Sequence, residues 1–385
     1  MNRDKAQHAL NDVLYRIGKT LDETGDHFPY FFDIESDRWI TTADGNWCSG
    51  HWIMLLWLAW KLSKTEQEKR RFEEAAMFHT SVATGVFDSY RQSIFAGLNF
   101  NMIGFQAAEL TGKEELKQWG IKAADVIVNL YHPKARQIAS GIYMIEGPQH
   151  ELNKDIKGKG WGWVTSGMET SAVDSAHAAI PVLINAYKET NDSKYRDVME
   201  SHLNIYLNRF IRENGSTRQL VRFDPLTGEA AEEYKNLSVA KEGCWARGFG
   251  WCVSGLSEIY NFTKEKKYLD ALRSLASYYR THSNDDLIPC WDMSLDAKDG
   301  EPRDTSCAAL VAYGLVSLKG EQELQDLGIS ILESLCDHYL VKEGSHRGML
   351  MHGCFSRPKN YAYDNELIWS DYYLAYVLET YLNQN

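Results

Sequence analysis

The chain has 385 residues, 44% of them hydrophobic, and a formal charge of -12. That length exceeds the usual single-core size, so the organisations to expect are two domains or one large closed architecture that grows by repeating a unit. The acidic balance repels polyanions and no basic footprint is present, so a nucleic-acid partner is not expected.

The opening segment, MNRDKAQHALNDVLYRIGKTL, is polar and holds no apolar core of signal-peptide length. No later stretch reaches the roughly 18 apolar residues of a membrane span, so a cytoplasmic protein without a membrane partner is expected. Seven scattered cysteines, Cys48, Cys244, Cys252, Cys290, Cys307, Cys336 and Cys354, lack paired metal-ligand spacing and are read as reduced, mostly buried thiols.

Apolar residues at three-to-four spacing predict helices over 5–24, 50–63, 65–84, 101–111, 113–130, 168–190, 192–211, 245–262, 265–282, 304–318, 320–339 and 366–382. The joints between them alternate. Short polar turns such as Ser63-Lys64-Thr65, Thr111-Gly112 and Thr190-Asn191-Asp192 supply caps and read as helical hairpins. The other joints are long, over 25–49, 85–100, 131–167, 212–244, 283–303 and 340–365, and each precedes a helix poor in charge. Helices after the short turns carry stripes such as EQEKRRFEE and KYRDVMESH, which places them at the solvent.

Six hairpins with apolar inner and charged outer helices predict an all-α (α/α)6 toroid with every long loop on one face. An open helical solenoid is the alternative, but the spacing is irregular and no consensus repeat is visible. Gly/Ser linkers are absent, which favours a single domain over 1–385. One β-hairpin is expected in 217–234, where TRQLVRF, the turn DPLTG and EAAEEY follow one another.

In a toroid the six inner-helix starts face one opening. Trp47, Trp52, Trp245, Trp251, Trp369 and Tyr372 stand there, and their rings suit the apolar face of a sugar. Filling the core is the other use for them. Asp174 lies in the apolar run SAVDSAHAAIPVL, read as two turns into an inner helix, where burial would raise its pKa as a general acid requires. A buried helix cap is the competing role. His177, three residues on, could orient that carboxyl or be a satisfied core histidine. Arg247, within WARGFGW, suits a substrate carboxylate or a salt bridge to Asp304 or Asp371, which themselves read as caps before ligand contacts.

The insertion 131–167 has the length of a loop over a site, and its GKGKGWGW lacks the spacing of a phosphate loop. No HExxH, GxSxG or EF-hand pattern occurs, so neither metal nor cofactor is implied.

Taken together, NWCSGHWIMLLWLAWK, IGF at 103–105, the Asp174 segment, RFDPLTGE, WARGFGW, the stretch from WDM to PRDTSCAA, LMHGCFS and IWSDYYL resemble the unsaturated glucuronyl hydrolases of glycoside hydrolase family 88. The related unsaturated rhamnogalacturonyl hydrolases match more loosely. The resemblance implies an (α/α)6 barrel that releases a 4,5-unsaturated uronic acid from the non-reducing end of lyase-generated oligosaccharides. It implies Asp174 as proton donor and Trp47, Trp245, Arg247 and Trp251 as uronate-subsite residues.

One departure stands out. The family carries a His-Asp pair just before the IGF-like segment, and this chain has Asn101-Met102 there; where a family histidine is sought before RFDP it has Gln219. Either Asn101 holds substrate hydroxyls while Asp174 works alone, or a loop carboxylate such as Glu146 substitutes, or the substrate differs. Three functions follow: an unsaturated uronyl hydrolase, a six-hairpin enzyme acting on saturated uronides or as a sugar epimerase, and a non-catalytic uronate-binding protein. The partner in each is a small uronic-acid saccharide, and the chain is a monomer or homodimer.

Overall fold

The computed structural model describes residues 1–141, 167–296, 300–341 and 348–384. Its helices are α1 (Arg3–Thr24), α2 (Ser49–Leu62), α3 (Glu66–Gly85), α4 (Phe95–Phe100), α5 (Ala107–Thr111), α6 (Lys117–Asn129), α7 (Ser175–Ala178), α8 (Ile180–Thr190), α9 (Ser193–Phe210), α10 (Ala246–Thr263), α11 (Lys266–His282), α12 (Thr305–Val316), α13 (Gln322–Ser334) and α14 (Ile368–Gln384). A π-helical stretch, Asn101–Gln106, joins α4 to α5.

Local chemistry sets the hairpins. At the start of α3, the Thr65 hydroxyl accepts from Glu68 N at 3.2 Å and donates to the Glu68 carboxylate at 3.0 Å, a cap that begins the helix just after α2 ends at its C-cap Ser63. Asp192 caps α9 by accepting from Lys194 N at 3.0 Å. Beyond these caps the outer helices show solvent a charged stripe, whereas α2 is buried continuously from Ser49 to Ala59 and α12 at almost every position.

The inner helices close a ring. α10 packs on α12, α12 on α14, α14 on α2, α2 on α4 and the π-helical stretch, α4 on α7 and α8, and these on α10. An open solenoid would leave two ends unpaired. Gly255 permits one of these contacts, since a Cβ there would stand 2.4 Å from the Ala176 carbonyl carbon.

Short sheets decorate the face where the inner helices begin. The predicted hairpin is β6 (Leu220–Phe223) with β7 (Ala230–Tyr234), and a strand β5 (Thr170–Ala172) adds to its other edge. The expected helix over 168–190 is therefore corrected. Thr170–Ala172 pairs antiparallel with Arg222, Val221 and Leu220, and helix begins only at Ser175. Cross-strand pairing with a segment some fifty residues away overrides the local helical periodicity. A second unforeseen sheet has the order β2 (Arg38–Thr42), β1 (Phe28–Asp33), β8 (Glu366–Leu367), tying the first long loop to the last. β3 (Tyr131–His132) and β4 (Gln137–Ile138) form a small hairpin.

All seven cysteines are free thiols, six buried and Cys336 half-buried. No helix among the described residues is long and apolar enough to cross a membrane.

Candidate active site

A cleft of about 880 Å³, its open mouth included, lies where the inner helices begin. Its wall is largely apolar: Trp47, Phe95, Leu98, Leu237, Trp245, Trp251 and Phe355 are prominent, with Asp174, Arg247, Gln219, Asn236 and Ser140 as the polar groups. Gly248 allows Trp245 to lie flat over the start of α10, for a Cβ there would come within 2.4 Å of the indole. Asp292 organises the approach to Trp245, accepting from Ser238 Oγ at 2.7 Å, Val239 N at 2.9 Å and Cys244 N at 2.9 Å. Three of the six predicted mouth aromatics, Trp47, Trp245 and Trp251, reach the cleft.

Asp174 is the N-cap residue of α7, directly after β5, and not two turns into a helix. Its backbone carbonyl accepts from His177 N and Ala178 N, but its side chain caps nothing. Oδ1 is enclosed and has no hydrogen-bond partner among the described residues. Removal from water pushes the carboxyl up to about 7, although the Arg247 charge pulls in the opposite direction. An acid protonated near neutral pH thus faces an apolar cleft.

Arg247 lines the same cleft, and the salt bridge offered as one reading of it does not form. Nη1 donates to Cys354 O at 2.5 Å and Nη2 to Phe355 O at 2.9 Å, and the guanidinium stacks over Trp245, Phe355 and Trp369 at 4.9, 5.1 and 5.5 Å. No ion pair to Asp304 or Asp371 forms within 4.0 Å among the described residues. Asp304 caps α12 through Ser306 N at 3.1 Å, as expected of it, and acts on Arg247 only through its field. Asp371 accepts from Leu350 N at 3.0 Å, so it secures a loop in place of capping its own helix.

Several expected site residues stand elsewhere. The His177 side chain turns away from Asp174: Nε2 meets Tyr373 Oη at 2.9 Å and Nδ1 meets Ser254 Oγ at 3.0 Å, with the ring packed behind Trp251 at 4.9 Å. Burial lowers it to about 3. Asn101 accepts from Asn185 Nδ2 at 2.9 Å, on the flank of a different pocket, and Met102 is buried. Trp369 lies behind Trp47, ring centroids 4.6 Å apart, while Trp52 is wholly buried and Tyr372 donates to Gln106 at 2.9 Å. These three fill the core behind the wall. Glu146 and the GKGKGWGW stretch lie outside the described residues.

The sequence reading missed Phe95, Leu98, Ser140, Asn236, Leu237 and Phe355 as wall residues. Phe355 had a signal, since it lies within the LMHGCFS segment quoted for the resemblance. Ser140 and Leu237 lie in two of the long joints expected on this face, but loop residues carry no periodicity that would have singled them out. Among the described residues no cluster of His, Cys, Asp and Glu could hold a metal ion.

The chain has relatives over nearly its whole length. The chain is 24% identical to the unsaturated chondroitin disaccharide hydrolase of Streptococcus pneumoniae over 390 aligned residues, covering 97% of this chain and 91% of that one. It is 23% identical to the unsaturated glucuronyl hydrolase of a Bacillus species, covering 95% and 94%. Solved structures share the fold. That of the Bacillus unsaturated glucuronyl hydrolase superposes with a TM-score of 0.84 at 22% identity over 97% of this chain and 96% of that one. One of an unsaturated glucuronyl hydrolase specific for heparin gives 0.85 at 21% identity over 100% and 98%. The model of Glycosyl Hydrolase Family 88 matches residues 46–378, and the chain belongs to that family.

Proposed function

We propose that the protein hydrolyses small saccharides ending in a 4,5-unsaturated uronic acid, with Asp174 as the acid. The observation that carries this reading is a single carboxyl, raised to about 7, in an aromatic cleft that contains no second carboxylate among the described residues. A glycosidase acting on saturated uronides needs two carboxyl groups flanking the bond. Hydration of a vinyl ether needs one proton donor. The names of the relatives agree, since those enzymes act on unsaturated glucuronyl or chondroitin units.

Asp174 gives its proton to C4 of the double bond, and positive charge develops at C5 and the ring oxygen. Water adds at C5 and its proton returns to the Asp174 carboxylate. The C5 hemiketal then opens, leaving C1 as a hemiacetal that expels the next sugar. The apolar wall keeps the carboxyl protonated near neutral pH, and Trp47, Trp245 and Trp251 offer flat faces to the ring. Arg247 serves the same site by fixing Trp245 and the Cys354–Phe355 segment.

We place the enzyme in the cytoplasm as a single domain over 1–385, a monomer or homodimer; free thiols at every cysteine support a reducing compartment. The test is a panel of lyase-generated disaccharides followed by loss of the double-bond absorbance. Consumption of at least one supports the reading. Turnover of saturated uronides alone would replace it with the uronidase or epimerase, and binding without turnover with a uronate-binding protein.

A further inference from the structure

The β6–β7 hairpin has a second face. Successive side chains of a strand point to opposite sides of its sheet, and in β6 Leu220 lines the cleft while Val221 lines a separate groove of about 800 Å³, its open mouth included. The groove lies between the C-terminal turns of α9 and β7, and its charged groups are Arg209, Arg218, Glu232 and Glu233. No residue lines both spaces, so the groove is distinct from the site of Asp174.

Arg209 sets the character of this groove. It is half-buried, its Nη1 is enclosed, and its guanidinium makes no ion pair or hydrogen bond among the described residues. Burial lowers the pKa of Arg16, Arg209 and Arg247 alike. Glu366 opposes that effect at Arg16 and Asp304 opposes it at Arg247, but no carboxylate does so at Arg209. The last carbonyls of α9 favour a cation there, yet dipoles do not cancel a full charge. The neighbouring carboxylates are already engaged. Glu233 accepts from Arg212 Nη2 and, at 2.9 Å, from Arg218 Nε, and Glu232 faces Arg222 at 3.5 Å. Arg209, Arg212, Arg218 and Arg222 thus stand against Glu232 and Glu233, an excess of two positive charges on a chain whose formal charge is -12. Arg218 Nη1 donates to Arg209 O at 3.4 Å, which brings a second guanidinium to the end of α9, and its Nη2 makes no hydrogen bond among the described residues. A desolvated cation without a counter-charge is costly.

We infer that this groove is a binding site for a tetrahedral oxyanion, phosphate or sulfate, free or as an ester, held by Arg209 with Arg218 behind the strand that walls the cleft. Guanidinium forks match the edges of such an anion, and its charge supplies what Arg209 lacks. The anion joins α9 to the sheet on the side away from Asp174. It is therefore a ligand of the scaffold and takes no part in the reaction proposed above.

The experiment is calorimetry on the full chain, titrated with sodium sulfate, sodium phosphate and glucose 6-phosphate in sodium chloride at constant ionic strength, so that general screening is held fixed. The wild type is expected to bind one anion per chain. Arg209→Met should weaken that binding about tenfold or more, and Arg218→Gln by a smaller factor. Tighter binding of glucose 6-phosphate than of either inorganic ion assigns the site to an ester, and the reverse order to a free ion. In chloride alone, Arg209→Met should melt close to or above the wild-type Tm, because it removes an unpaired charge from a half-buried position. Absence of oxyanion binding by the wild type, or binding undiminished in Arg209→Met, overturns the inference. So does an Arg209→Met chain that fails to fold or melts far below the wild type in chloride, since Arg209 would then already be satisfied within the protein.

Discussion

Two ends of the same ring each hold a carboxyl whose pKa is raised to about 7, and they differ in what surrounds it. Asp174 stands at the starts of the inner helices in an aromatic cleft, raised to about 7 with an unpaired Oδ1. Glu258, three turns into α10, is also raised to about 7 by burial, but it lies where the inner helices end. His177 Nδ1 is 3.7 Å from it, and Asn185, Lys188, Asn261 and Tyr313 share its pocket. A shifted pKa is thus common to both and marks neither as catalytic. The stacked wall and the open cleft distinguish Asp174.

The largest expected effect follows directly. Asp174→Asn should lower kcat about 10²–10⁴-fold or more with circular dichroism unchanged; full activity would transfer the acid to another group. The same variant has a stability signature. A carboxyl whose folded pKa lies above its unfolded value stabilises fully below about pH 4, and that contribution is lost as pH rises to about 7. Denaturant titrations should therefore show Asp174→Asn gaining on the wild type between pH 5 and pH 8, on the order of 1–3 kcal/mol.

Arg247→Met should cost about 2–4 kcal/mol, since it strands the Cys354 and Phe355 carbonyls and unstacks the wall. Thermal unfolding measures it, and an unchanged Tm would contradict the holding role. Glu258→Gln sharpens the comparison most cleanly. It should leave the alkaline limb of the kcat/KM profile in place near pH 7, because the acid proposed here is Asp174; a shifted or vanished limb would exchange their roles. The smallest effect is Asn101→Ala, which loses one hydrogen bond worth about 1 kcal/mol and leaves turnover intact. A large activity loss there would restore Asn101 to the site.

The fold was legible because it is written in local periodicity. Caps such as Thr65 and Asp192, charged stripes on outer helices and apolar runs on inner ones are each read within a few residues. The toroid follows from their alternation. The aromatic cleft was half legible: Trp47, Trp245 and Trp251 reach it, while Trp52, Trp369 and Tyr372 turn into the core with the same sequence appearance. Residue type does not specify which side of a ring a tryptophan faces.

The sequence by itself thus determined most of the helices, their pairing into hairpins and the free thiols, and it singled out Asp174 as the candidate acid, all from spacing and composition along short stretches. Only the tertiary structure decided how Asp174 is held, by a strand whose partner lies near Leu220, and what Arg247 does, through carbonyls 107 and 108 residues further along. It also sent His177 to Tyr373, 196 residues away, and left Gln219 with one amide end unpaired among the described residues. The physical reason is the same in each case. A polar group in a dry interior takes whichever partner the packed chain brings within 3 Å, and that partner is seldom near it in sequence.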